Sequence, residues 1–229
     1  MDLIFDYRMS LLAGTLVTIE LALCSLLLSV LLGLFGAWAK LAKSRTANRV
    51  AGGYTTLIRG VPDLVLMLVL FYGGQQLVND LGEATGWWDY FEINQFTAGV
   101  GTIGFIFGAY MTETFRGAVL AVPRGQIEAG IAYGMSNWQV FSRILWPLMV
   151  RYALPSFTNN WLVLIKSTAL VSVIGLQDVV YNAFVAGRSV RQPFTFMIAV
   201  LIIYLILTAI SDSGLRWIDR RYSAGVRRA

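Results

Sequence analysis

Long apolar runs separated by short polar or basic stretches give this chain its pattern. Crossing about 30 Å of hydrocarbon takes about 20 mostly apolar residues in a helix, and five stretches qualify: 11–39, 54–78, 96–115, 154–176 and 194–215. Arg59, Pro62 and Asp63 interrupt the start of the second and leave 64–78 as its charge-free portion. Residues 125–150, GQIEAGIAYGMSNWQVFSRILWPLMV, depart from this pattern: they are polar and helix-patterned, yet lie between two apolar runs.

Pro123 and Gly125 break the chain after the third run. The spacing then predicts a short helix over 126–133, ended by Gly134, whose missing side chain permits the left-handed conformation of a helix terminus. Ser136 is placed to cap a second helix, with Gln139 three residues on as its capping-box partner. On that helix Trp138, Phe141, Leu145 and Leu148 share a face expected to rest against the bundle. Ala129, Gly130 and Ala132 make the first helix almost bare, a shape suited to insertion into another protein's groove.

Composition agrees with the membrane reading: 57% of the 229 residues are apolar and 14% charged, against about 25% charged in soluble proteins. The net charge of +5 is not a nucleic-acid footprint, because the cations fall between apolar runs rather than along one polar face. Lys40, Lys43, Arg45 and Arg49 follow the first run. Arg116, Arg124, Arg143 and Arg151 flank or lie in the polar stretch, and Arg216, Arg220, Arg221, Arg227 and Arg228 end the chain. The 75–95 connection instead carries Asp80, Glu83, Asp89 and Glu92, no Lys or Arg, and the interfacial aromatics Trp87, Trp88 and Tyr90. By the positive-inside rule the N-terminus is external and the C-terminus cytoplasmic, with Arg188 and Arg191 as exceptions.

Several chemistries are excluded. The chain has no His and a single Cys, Cys24, read as inert packing. Histidine-based triads and metal sites are therefore impossible. No phosphate-binding GxxxxGK[ST] loop is present, so energy for any transport must come from a gradient or a partner. Thr18, Ala22, Ser25, Ser29, Gly33 and Gly36 form one small face, for packing within the bundle or against another subunit. Glu20, Asp63, Glu113, Lys166 and Asp178 fall in or beside apolar runs, where each needs a partner or a wet cavity. Asp63 and Glu113 suit a cationic substrate, or alternatively pair with Arg59 and Arg116 one helical turn away. Glu20 and Lys166 can pair with each other or with headgroups.

Glu128-Ala129-Gly130, then Gly134 and Pro147, resembles the EAA loop of ABC importer permeases, with Gly130 in place of the second Ala and Trp146 in place of the Leu before Pro. The flanking GAYMTETFRGAVLAVPRGQIEA, through Ala109, Tyr110, Glu113, Arg116, Gly117, Gln126 and Glu128, is similar to polar amino-acid importer permeases, as are RGVPDLVLMLVLFYG and NNWLVLIKSTALVSVIGLQDVV. GYTTLIRGVPDLVLML and RYALPSFTNNW resemble most the Q-type membrane subunits of histidine/lysine/arginine/ornithine importers.

The resemblance implies an all-α integral membrane protein of type I importer (MetI-like) architecture, with one permease domain over 1–229 and a coupling loop at 123–150. It implies half of a translocation pore in a bacterial inner membrane, completed by an identical or paralogous permease. Two ATPase subunits holding ATP and Mg would lie below and a periplasmic amino-acid-binding protein above, with no cofactor in this chain and no nucleic-acid partner. Gln126, Glu128, Ala129, Gly130 and Gly134 would couple to the ATPase, Glu128 either through a partner Arg or by stabilising its own helix. Asp63 and Glu113 are the candidate substrate contacts. A permease for another polar amino acid or opine, and a self-sufficient secondary transporter, are the alternatives; the second would need an inverted repeat that the sequence does not display.

Overall fold

The computed structural model describes residues 2–223 and has no strand among them. Arg227 and Arg228 lie outside the described residues. A short α1 (Asp2–Asp6) precedes α2 (Arg8–Leu41), α3 (Arg45–Gly60), α4 (Asp63–Thr85), α5 (Gln95–Leu120) and α6 (Arg124–Ala132). Then come α7 (Asn137–Ile174), α8 (Val179–Ser189) and α9 (Pro193–Ser223). Four of the described helices, α2, α4, α7 and α9, are long and apolar enough to cross a membrane.

The helix expected over 96–115 forms as α5, 26 residues long, about 39 Å at 1.5 Å per residue. Glycine and threonine dilute its apolar character, and it is the centre of the bundle: Ile103, Ile106, Phe107, Met111 and Thr112 are buried. The small face of α2 packs against it within the same chain. Gly33 lies on Met111 and Gly36 on Thr112, while Gly104 and Gly108 of α5 receive Leu28 and Leu32. Where lipid removes the hydrophobic drive between helices, such close approach maximises dispersion contact. Cys24, expected as packing, is exposed, because it faces away from this seam.

The span expected over 54–78 is corrected. Residues 45–60 form a separate helix, α3, and the apolar span begins only at Asp63. Pro62 has no N–H to donate and disfavours helical geometry at the residue before it; Val61 is accordingly extended, at φ −116 and ψ 141.

The span expected over 154–176 begins much earlier. The helix capped by Ser136 runs on without a break as α7, through a π turn at Phe141–Leu145 and past Pro155, to a 3-10 end at Thr168–Ile174. The wider π turn re-phases the helix. Val140 is the buried residue at its start, and Trp138 and Phe141, expected to rest on the bundle, are exposed.

The short α8 was not predicted. Asp178 caps it by accepting from the Tyr181 amide at 2.9 Å, and the Val179 amide donates to Thr18 Oγ1 at 3.3 Å. Asn182 Nδ2 donates to the Ser10 carbonyl at 2.9 Å, so α8 is tied against α2. The 86–94 connection is likewise pinned to α4: Trp88 Nε1 donates to the Val78 carbonyl, the Phe91 amide to Asn79 Oδ1 and the Ile93 amide to Gln75 Oε1.

Candidate functional site: a polar cavity and an exposed short helix

The break at Pro62 ends α3 beside the middle of α5, and α7 passes both. At this junction lies an open cavity of about 540 Å³, within the ~300–1,000 Å³ of small-molecule sites. Arg59 of α3 lines it, with Tyr110, Glu113 and Thr114 of α5 and Ser156, Asn159 and Asn160 of α7. Tyr110, Glu113 and Thr114 share a face by the i, i+3 and i+4 spacing. On α7, Pro155 also lines the cavity and cannot donate the usual backbone bond to the Arg151 carbonyl.

Two charged side chains, Arg59 and Glu113, line this cavity. The Arg59 guanidinium lies 5.4 Å from the Tyr110 ring centroid, in cation–π range. Glu113 is gripped by two cations: Arg116 Nε donates to Oε2 at 3.0 Å, and Lys40 of α2 donates to Oε1. Asn160 Nδ2 donates to Thr114 Oγ1 at 2.9 Å, holding the amide against α5. The site thus offers a cationic fork, a carboxylate, amides and a hydroxyl, with no nucleophile–base pair. No group of three or more metal-ligating side chains occurs among the described residues.

Of the two predicted acidic contacts, the structure brings only Glu113 to the cavity lining. The Glu113–Arg116 pair forms. Asp63, half-buried at the start of α4, forms no ion pair with Arg59 but lies within electrostatic reach of Tyr110. Glu20 and Lys166 are both exposed and form no ion pair. Lys40 was read from sequence only as topology charge. Its position four residues after Gly36, on the small face, is the signal that could have placed it against α5.

At the far end of α5, α6 stands clear of the bundle. Gly134 is left-handed, at φ +76, and the Met135 amide returns to the Gly130 carbonyl at 3.1 Å, closing the helix as predicted. Both halves of the Ser136/Gln139 capping box form. Gln126, Glu128, Ala129 and Gly134 are exposed. Gly130 is not: it is buried against Ile144 of the same chain. Ile131, Tyr133 (89% exposed) and Trp138 (71% exposed) are uncovered apolar side chains here, an exposure that sequence reading missed.

The family described as "Binding-protein-dependent transport system inner membrane component" matches residues 25–224. The chain is 52% identical over 227 residues to the histidine/lysine/arginine/ornithine transport system permease protein HisQ of Escherichia coli K12, covering 99% of each chain. It is 37% identical over 217 residues to the octopine transport system permease protein OccQ of Rhizobium meliloti, covering 95% of this chain and 92% of that one. Among solved structures, an amino acid ABC transporter crystallised with histidines superposes with a TM-score of 0.82 at 29% identity, over 95% of this chain and 96% of that chain. The MetNI methionine ABC transporter shares the fold, with a TM-score of 0.75 at 18% identity. A bundle built on one buried Gly-rich helix, with a capped exposed helix at its end and matches over nearly its whole length, belongs to the family of binding-protein-dependent transport system inner membrane components.

Proposed function

We propose that this chain is a permease subunit of an ATP-driven importer for cationic polar amino acids such as histidine, lysine, arginine and ornithine. The observation that carries the substrate class is the cavity in which Arg59 and Glu113 both present charge. An amino acid is a zwitterion: Arg59 suits its carboxylate by bidentate pairing, and Glu113 suits an ammonium or guanidinium. Ser156, Asn159 and Asn160 supply neutral donors and acceptors in the same lining. Asp63 adds negative potential near Tyr110 and favours a substrate of net positive charge. The near full-length likeness to a relative named for these four amino acids supports the same class.

In this reading the whole chain is one permease domain forming half of a pore, and a second permease, identical or paralogous, supplies the other half. α5 is a fifth membrane span, with the N-terminus outside and the C-terminus in the cytoplasm. A reporter active only in the cytoplasm is then active at the C-terminus and silent beside Asp89; the reverse pattern inverts the topology. Residues 123–150 couple to an ATPase dimer that holds ATP and Mg, through Gln126, Glu128, Ala129 and the Gly134 turn. Gly130 acts from behind by seating the helix. A periplasmic amino-acid-binding protein delivers the substrate.

The test is uptake of labelled arginine, histidine and glutamine into proteoliposomes. Uptake of the two cationic substrates requires added ATPase, ATP and binding protein, and Glu113→Gln lowers it with assembly intact. Uptake by the permease alone would make this a secondary transporter. Preference for octopine or nopaline over arginine would move the substrate to the opines named for other relatives.

A further inference from the structure

Glu113 faces the cavity on one side and a lysine on the other. Lys40 Nζ donates to Glu113 Oε1 and, at 2.6 Å, to Thr55 Oγ1, whose own proton is directed to the Gly52 carbonyl at 3.2 Å. The node is largely enclosed: the side chains of Lys40 and Glu113 are 13% and 21% exposed. Its position follows from backbone packing. Gly36 lets α2 approach Thr112 of α5, and one turn later the same face of α2 sets Lys40 beside Glu113.

Around the cavity Lys40, Arg59 and Arg116 outnumber Glu113, with Asp63 as a further acid near Tyr110. Adding a cationic substrate to that set would pile further positive charge beside three cations. Exchanging one ammonium for another at Glu113 leaves the local charge unchanged.

We propose that Lys40 is a resident counter-cation that holds Glu113 while the cavity is empty, yields it to the ammonium or guanidinium of a cationic substrate, and retakes it as the substrate leaves. The inference rests on the reading that Glu113 contacts substrate. An unpaired carboxylate in a largely enclosed node is costly, and Lys40 removes that cost from the substrate-free state. It thereby weakens substrate binding and speeds release by the same exchange.

The Lys40 backbone is fixed, its carbonyl accepting from Asn48 Nδ2 at 2.7 Å, but its four-carbon stem is flexible. It sits in the last turn of α2, beside the exposed residues 43–46 through which an expelled ammonium can reach water. Arg116 keeps Oε2 in both states, so Glu113 stays oriented throughout the exchange.

The experiment uses the complete transporter in nanodiscs, with Lys40→Met and Lys40→Arg as opposed variants. Binding of labelled arginine without binding protein, and kcat for uptake with it, are the readouts. Removing the competing cation in Lys40→Met should tighten arginine binding and slow turnover, each by about tenfold. Lys40→Arg holds the carboxylate as a fork and should weaken arginine binding. Binding unchanged or weakened in an assembled Lys40→Met complex overturns the proposal. If that variant does not assemble, unweakened binding in Lys40→Arg overturns it. Glu113→Gln separates the two ideas: native arginine binding there removes the substrate contact itself, whatever Lys40 does.

Discussion

Gly130 of α6 lies directly on Ile144 of α7: a Cβ added to Gly130 would come within 2.6 Å of Ile144 Cδ1. Met135 and Val140 complete the contact at 3.5 Å each. This seat decides how far α6 stands off α7, and therefore where Ile131 and Tyr133 present themselves beside Trp138 of α7.

The obstacle at Gly130 is the far end of a flexible side chain, so Gly130→Ala should be nearly silent. Gly130→Leu should lift α6 at a cost of about 1–3 kcal/mol, lowering ATPase retention on purification while the permease still inserts. Ile144→Ala combined with Gly130→Leu should recover retention. A double variant no better than Gly130→Leu alone would remove this contact as the cause.

Gly134 is a different case, because nothing lies near its missing side chain and only its φ of +76 is demanding. A β-branched residue there should cost about 1–2 kcal/mol of turn stability and swing α6. Gly134→Val is therefore expected to uncouple binding-protein-stimulated ATP hydrolysis from uptake, whereas Gly134→Asn, tolerant of the left-handed region, stays near native. Equal activity of both variants would mean that turn geometry does not matter for coupling.

Gly36 packs on Thr112 in the middle of the α2–α5 seam. The Thr112 side chain leaves no space for Gly36→Val, and overpacking of about 1–3 kcal/mol should lower the thermal unfolding midpoint in detergent. Thr112→Ala should restore part of the loss. The same variant should also weaken the Lys40–Glu113 contact one turn away, read as a change in arginine binding. A native midpoint in Gly36→Val would contradict the packing described.

Asp63 is outside the cavity lining and without an ion pair to Arg59, so its charge acts at a distance. Asp63→Asn should lower uptake of arginine less than Glu113→Gln does, and its effect should shrink as ionic strength rises. An Asp63→Asn loss as large as that of Glu113→Gln would place Asp63 in direct contact with substrate.

Local and periodic features were legible without the structure. The apolar runs, the Gly134 turn and the Ser136/Gln139 box depend on residues a few positions apart, and backbone sterics and short hydrogen bonds act at that range. Six small positions spaced three and four apart on one face of α2 likewise announced a close seam, since only a close neighbour makes use of them.

Tertiary structure decided what those neighbours were. Pro62 signalled a break, but the sequence did not say that 45–60 would form its own helix and bring Arg59 to Tyr110. Gly130 and Ala129 are equally bare in sequence; the chain's return through α7 buries one and leaves the other exposed. Lys40 and Glu113 are 73 residues apart, and no periodicity links them. Hydropathy and capping read one helix at a time, whereas an ion pair of that separation exists only because glycine on one helix lets another backbone come close.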